Sequence, residues 1–324
     1  MQISTTVCRM YAVGVLIALC STVGAQQSYP SKSLRFIVPS TTGANRDLTA
    51  RLLGQKLTES WGQQVIVDNR PGGNTIVGSD ALVKSAPDGH TILLVDMTHL
   101  INPLVVPNYP FDAAKVFAPV ATVNNSPYVL TIHPAIPANE LKEFIVHAKA
   151  RPGQLNYGTS GIASAAHLTA EILSGVVGIK MQHIAYKGGG QVLNDLVGGQ
   201  VQVYLATAIT VVPYITTGRI KALAVAAETR LMALPKVPTF AEAGVPGFNV
   251  KNWNGVVAPV GTPKTIIDKL SNEIARILTA HDVRERLASL GGEPFISTPA
   301  QFAELMKADS ARLARILANI ALEK

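Results

Sequence analysis

The sequence predicts an α/β protein of two halves, each a sheet with covering helices, joined by two extended crossings around a cleft that can close by hinge motion. Three observations predict it. Strands and helices alternate in βαβαβ order from Leu34 to Val95. A second strand, small-residue loop and helix, from Leu155 to Leu173, repeats the opening unit. Two extended stretches, Tyr128–Ile132 and Asn252–Ala258, stand where the chain would pass between the halves and return.

The opening unit is Leu34–Val38, a short apolar run closed by Pro39, which cannot donate to a ladder. Ser40, Thr41, Thr42, Gly43, Ala44 and Asn45 follow as a loop, and Arg46 and Asp47 precede Leu48, Leu52 and Leu57 at near-helical spacing. A helix is expected to start near Asp47. Backbone N–H groups at such a start point at one spot, and the helix dipole favours an anion there. Next come a strand at Gln64–Asp68, the turn-rich Asn69–Asn74, a helix near Thr75–Ser85, a turn at Pro87-Asp88-Gly89 and a strand at Thr91–Val95. Asp96-Met97-Thr98-His99 is then a loop at a strand's carboxyl end, where ligands of parallel sheets collect. Pro103, Pro107, Pro110 and Pro119 mark a surface excursion rather than a core element.

In the second half, a helix is expected at Ala138–Ala150 and a strand at Leu155–Tyr157. Gly158-Thr159-Ser160-Gly161-Ile162-Ala163-Ser164 leads into a helix near Ala165–Leu173. Strands follow at Met181–Ala185, Val201–Leu205 and Lys221–Ala226, with helices at Gln191–Leu196 and before Gly218. Three helical stretches, Pro263–Ala280, Val283–Leu290 and Pro299–Ala321, close the chain, with Pro263 and Pro299 read as first-turn residues.

The chain has 324 residues, 48% of them hydrophobic, and a formal charge of +7. Lys and Arg are dispersed, which argues against a nucleic-acid partner, since that needs a concentrated basic stripe. Residues 1–25 read as a cleavable signal peptide: Arg9, an apolar stretch from Met10 to Cys20 and a small-residue site at Val23-Gly24-Ala25. Its loss would remove Arg9, taking the charge from +7 to +6, and both cysteines, Cys8 and Cys20. A periplasmic location follows as an expectation, without disulfides or thiolate chemistry. No cofactor is expected. No two of the seven histidines have the spacing of a zinc site.

Three motifs compete with anion binding. Gly158-Thr159-Ser160-Gly161-Ile162 approaches a serine-hydrolase elbow but has Ile162 for the final glycine. Gly188-Gly189-Gly190 evokes a dinucleotide loop but has Leu193 where the third glycine belongs. Arg46 could grip a carboxylate bidentately, or face solvent on its helix. His167 reads as a capping or packing residue, and Trp253 as either cleft or core.

A set of segments in order carries a resemblance: Tyr29-Pro30-Ser31-Lys32, Val38-Pro39 leading to Gly43 and Asp47, Asp68-Asn69-Arg70-Pro71-Gly72, Ala86-Pro87-Asp88-Gly89, Ile101-Asn102-Pro103, Lys149 to Tyr157, Leu196 to Val201, and Ala258-Pro259-Val260-Gly261-Thr262-Pro263. The chain resembles the Bug (TctC-like) periplasmic solute receptors of tripartite tricarboxylate transporters. The resemblance implies a periplasmic-binding-protein type II fold of two domains, with residues 26–126 and 250–324 in the first and 127–249 in the second. It also implies capture of a small mono-, di- or tricarboxylate for membrane permease subunits, without catalysis. A sensor kinase as the receiver, or a secreted serine hydrolase, are the alternatives.

By that resemblance the ligand-binding residues are Ser40, Thr41, Thr42, Gly43, Ala44, Asn45, Arg46, Asp47 and Thr98 in one half. In the other they are Thr159, Ser160, Gly161, Ser164, His167, Ala206 and Thr207. The family loop usually reads Phe-Pro-Pro-Gly-Gly with a small residue and Ser or Thr before Asp, and Ser40, Thr41, Thr42, Gly43, Ala44, Asn45 and Arg46 stand in those places. Arg46 stands where a small hydroxyl residue is usual, and Ala206 where aspartate is frequent, which turns the expectation away from acidic amino acids.

Overall fold

The structure, a computed structural model, describes residues 29–318. The expected signal peptide at residues 1–25 lies outside the described residues. No helix among the described residues is long and apolar enough to cross a membrane.

The first half begins with β1 (Leu34–Val38), which pairs in parallel with β2 (Val65–Asn69) and β3 (Thr91–Asp96). Helix α1 (Asn45–Trp61) connects β1 to β2, and a short 3-10 turn (Gly73–Thr75) with α2 (Ile76–Val83) connects β2 to β3. Helix α1 starts two residues earlier than expected, after Ala44, and Asp47 is inside it rather than capping it. The Asp47 carboxylate instead accepts from the Gly43 N–H at 2.9 Å and the Asn69 side chain at 3.0 Å, and pairs with Arg51. It therefore staples the loop to the end of β2.

Two expectations for the next stretch are corrected. Residues 98–105 form α3 (Thr98–Val105), not an open loop and surface excursion. Pro103 misled the reading. A proline lacks the N–H for helix bonding, but here burial of His99, Leu100 and Ile101 compensates, and the Asn102 amide donates to the Asn74 carbonyl at 2.6 Å. After a single turn, α4 (Ala113–Val116), the chain enters β4 (Phe117–Ile132), a strand of 16 residues. Tyr128–Ile132 is only its last part. Its residues are buried almost throughout, so the alternation that identifies a one-faced strand is absent. Pro119 is tolerated where the ladder register shifts.

The second half contains α5 (Leu141–Lys149), β5 (Asn156–Thr159), α6 (Ala165–Val177), β6 (Gln182–Ala185), α7 (Gly189–Val197), β7 (Val203–Thr207), α8 (Ala208–Thr216) and β8 (Lys221–Val225). The chain returns through β9 (Lys251–Pro259) and ends in α9 (Lys264–Thr279), α10 (His281–Ser289), the short β10 (Glu293–Pro294) and α11 (Pro299–Leu317). Pro263 is the residue before α9 rather than within its first turn, whereas Pro299 is the first residue of α11 inside a capping box from Thr298.

The strand pairing repeats one order twice. One half reads β2-β1-β3-β9-β4, and the other reads β6-β5-β7-β4-β8. Strand β4 belongs to both. From Phe117 to Pro127 it runs antiparallel to β9, and from Tyr128 to Ile132 it is flanked by β7 and β8. Trp253 on β9 belongs to the core: its ring meets Phe302 edge-on at 5.4 Å and its N–H donates to Asp309 at 2.8 Å.

Candidate functional site

At the point where β4 exchanges neighbours, the first residues of several helices meet. A cavity of about 50 Å³ is lined by Ala44 just before α1, Asn45 and Arg46 of α1, Thr98 of α3, Ala165 and Ala166 of α6, Gly189 of α7, Thr207 at the end of β7, and Thr210 of α8. Asp96, Tyr128, Ser160, Tyr204, Ala206 and Asn252 complete its wall. The space holds a few water-sized groups. Five helix N-termini thus converge on it, each from a helix of eight residues or more. Their dipoles favour negative charge there.

Cross-links between elements fix this convergence. The Asn45 N–H donates to Thr210 Oγ1 at 3.1 Å, tying α1 to α8. The Ala165 N–H donates to Thr98 Oγ1 at 3.3 Å, tying α6 to α3. Asn45 Oδ1 accepts from Thr49 Oγ1 at 3.1 Å and from Asn254 Nδ2 at 3.0 Å, which anchors α1 to β9. Asn45 Nδ2 is buried without a hydrogen-bond partner among the described residues, and so is Asn252 Oδ1. Both belong to residues of the cavity wall, so a polar occupant would satisfy them.

Arg46 is not the solvent-facing helix residue that sequence allowed. Its side chain is buried, and Nη1 donates to Asp96 Oδ1 at 2.9 Å. The Thr98 N–H donates to the same oxygen at 3.0 Å. Burial disfavours the charged form of Asp96, but the Arg46 charge, with the nearby His99 imidazole and the hydrogen bond from Thr98, prevails and holds its pKa at about 2. The His99 imidazole is pushed down by burial, against the pull of Asp96. Burial also keeps the Tyr128 and Tyr204 phenols neutral by raising them.

Of the expected site residues, the structure brings Ala44, Asn45, Arg46, Thr98, Ser160, Ala206 and Thr207 to the cavity. Ser40, Thr41, Thr42, Gly43, Asp47, Thr159, Gly161, Ser164 and His167 lie outside its wall. These residues shape it instead. Thr41 Oγ1 accepts from the Gly190 N–H at 3.2 Å, and a Cβ on Gly188 or Gly190 would collide with Thr41 or Thr42. The glycine run is therefore the place where two backbones touch, not a phosphate cradle. Ser164 caps α6 by accepting from the His167 N–H at 3.2 Å. His167 Nδ1 accepts from the Ala163 N–H at 3.0 Å, and its ring stacks on His183 at 3.9 Å. Burial lowers its pKa to about 4, so it is neutral near pH 7.

Among the described residues, no hydrogen bond between Ser160 and a histidine accompanies the elbow-like sequence. His167 Nδ1 is committed to Ala163, and His183 Nε2 lies 2.6 Å from Thr159 Oγ1. Ser160 also lines an outer groove of about 1180 Å³, whose one charged wall residue, among the described residues, is Lys187. The small cavity, not the groove, has the helix N-termini and the ion pair on its wall.

Sequence reasoning missed Tyr128, Tyr204, Thr210, Ala165, Ala166, Gly189 and Asn252 as wall residues, and named Asp96 only as part of a loop. The signal that could have found Thr210 is the hydroxyl-rich Thr207–Thr210 stretch directly after a strand. Nothing local marks Tyr128 or Asn252, which arrive on the two crossing strands.

The chain is similar to proteins of known family and structure. A family model described as "Tripartite tricarboxylate transporter family receptor" matches residues 49–322. The solved structure of periplasmic binding protein BugD superimposes with a TM-score of 0.87 at 30% identity, covering 91% of this chain and 100% of that one. A Rhodopseudomonas palustris protein, Rpa4515, solved with adipate, gives a TM-score of 0.85 at 32% identity, covering 89% and 97%. MatC from the same species, solved with bound malate, gives 0.84 at 30% identity, covering 89% and 99%.

Proposed function

The chain belongs to the TctC family of tripartite tricarboxylate transporter receptors, and from that premise we propose that it is a non-catalytic periplasmic receptor that captures a small carboxylate and delivers it to membrane permease subunits. The observation that carries this reading is the convergence of five helix N-termini on one buried cavity. A carboxylate there would meet N–H groups, the Asn45 amide and hydroxyls of Thr98, Ser160 and Thr207. Charge-assisted hydrogen bonds contribute about 1.5–3 kcal/mol each. A handful of them reaches a micromolar dissociation constant, about −8 kcal/mol, after the costs of association. The adipate and malate bound by the two related proteins support the same class of ligand.

In this reading residues 26–126 with 250–324 form one lobe and 127–249 the other, hinged on β4 and β9. The Thr41–Gly190 contact is then part of the closed rim. The apolar leader at residues 10–20 supports export to the periplasm.

The test is a thermal-shift and calorimetric screen of mono-, di- and tricarboxylic acids. At least one acid is expected to raise the melting temperature in a concentration-dependent way and to be recovered unchanged. A screen in which no acid binds, or in which a bound acid or ester is converted, would overturn the reading.

A further inference from the structure

Beside the cavity, the Arg46–Asp96 pair leaves donors of one partner and an oxygen of the other without a protein hydrogen bond among the described residues. Asp96 Oδ1 accepts from both Arg46 Nη1 and the Thr98 N–H, and no protein hydrogen bond among the described residues runs to Oδ2. Arg46 uses one of its five guanidinium N–H donors on Asp96. Both residues belong to the wall of the same cavity. An anion entering this space would therefore meet donors from Arg46, Asn45 Nδ2 and the helix ends, and an ionised acceptor from Asp96. A bare carboxylate satisfies the donors but faces the open Asp96 oxygen with nothing to give it.

Resting on the receptor reading, we infer that the captured anion is a hydroxy acid, whose carboxylate meets the α1 N-terminus and the open side of Arg46 while a hydroxyl beside that carboxylate donates to Asp96 Oδ2. Asn252 Oδ1, on the wall of the same space, is a second buried acceptor without a hydrogen-bond partner among the described residues. A neutral hydroxyl fits better than an ammonium group. Arg46 already balances the charge of Asp96, so an ammonium would add a positive charge beside the guanidinium with no negative charge left to offset it. A site that hydrogen-bonds a substrate hydroxyl also rejects the analogue that lacks it, because its buried acceptor is left unpaired.

The test is titration calorimetry on the full chain with two matched pairs, lactate against propionate and malate against succinate, with aspartate as the amino counterpart of malate. The hydroxy member of at least one pair is expected to bind tighter by about tenfold to a hundredfold, the range of one hydrogen bond to a charged group. Aspartate is expected to bind more weakly than malate. In Asp96→Asn the hydroxyl preference should collapse toward parity. Equal affinity within both pairs, or aspartate as the tightest of the five, overturns the inference while leaving a carboxylate receptor standing. Failure of all five to bind overturns the inference, and the receptor reading then stands or falls by the wider acid screen. If Asp96→Asn melts too low to titrate, Arg46→Met/Asp96→Leu removes both charges at once and should likewise abolish the preference; the wild-type ratios decide the matter in any case.

Discussion

The two strand-loop-helix units that frame the cavity share a plan and differ in how they are held. Both run from a parallel strand through small residues into a helix whose first turn lines the space. The first unit has no side-chain cap: Ala44 precedes α1, and the helix start is fixed by the Arg46–Asp96 ion pair and by Asn45 reaching β9 and α8. The second is capped by Ser164 and braced by the neutral, stacked His167. One unit is thus organised by charge and the other by capping and packing. A small-residue loop sets a helix N-terminus in place, and the buried groups behind it set which occupant is tolerated.

Breaking the charged unit should cost the most. Asp96→Ala leaves the Arg46 guanidinium buried without its partner and is expected to destabilise the protein by about 3–5 kcal/mol. The double change Arg46→Met/Asp96→Leu should cost much less, because neither charge remains. Urea unfolding of the three proteins measures this, and a double variant as unstable as Asp96→Ala would contradict the assignment.

Breaking the capped unit should cost less. Ser164→Ala removes the acceptor for the His167 N–H and is expected to lose about 1 kcal/mol, read from the same urea curves with an unchanged slope.

A third contrast separates the two units by pH. His167 has a pKa of about 4 in the folded state against 6.5 ordinarily, so the unfolded chain takes up the proton first. Stability tied to His167 is complete above pH 6.5 and is lost as pH falls toward 4. Asp96, held at about 2 against 3.8, gives stability that is present above pH 3.8 and lost as pH falls toward 2. Melting temperatures should therefore decline in the upper window first. His167→Asn, which keeps an acceptor for the Ala163 N–H but does not titrate, should reduce the slope of that window, to which the lowered His99 also contributes, and leave the lower window unchanged.

Much of the fold was legible because it is written in local patterns. Apolar runs of five or six residues bounded by Pro, Gly and Asp identified β1, β2 and β3, and the repeat of strand, small-residue loop and helix identified the second half. Helix α3 was not legible, because Pro103 signals a break and only burial of His99, Leu100 and Ile101 outweighs it. The length of β4 was hidden because a strand buried on both faces has no alternation to read.

What the sequence determined by itself was the α/β class, the order of its elements, the family, and the two loops whose helix starts would favour an anion. These depend on neighbours a few residues apart. Only the tertiary structure decided that three further helix starts join them, that Arg46 meets Asp96 50 positions along the chain, and that Tyr128 and Asn252 arrive on the crossing strands. Those are contacts between segments distant in sequence, fixed by how the strands order themselves and by which polar groups must find partners once water is excluded.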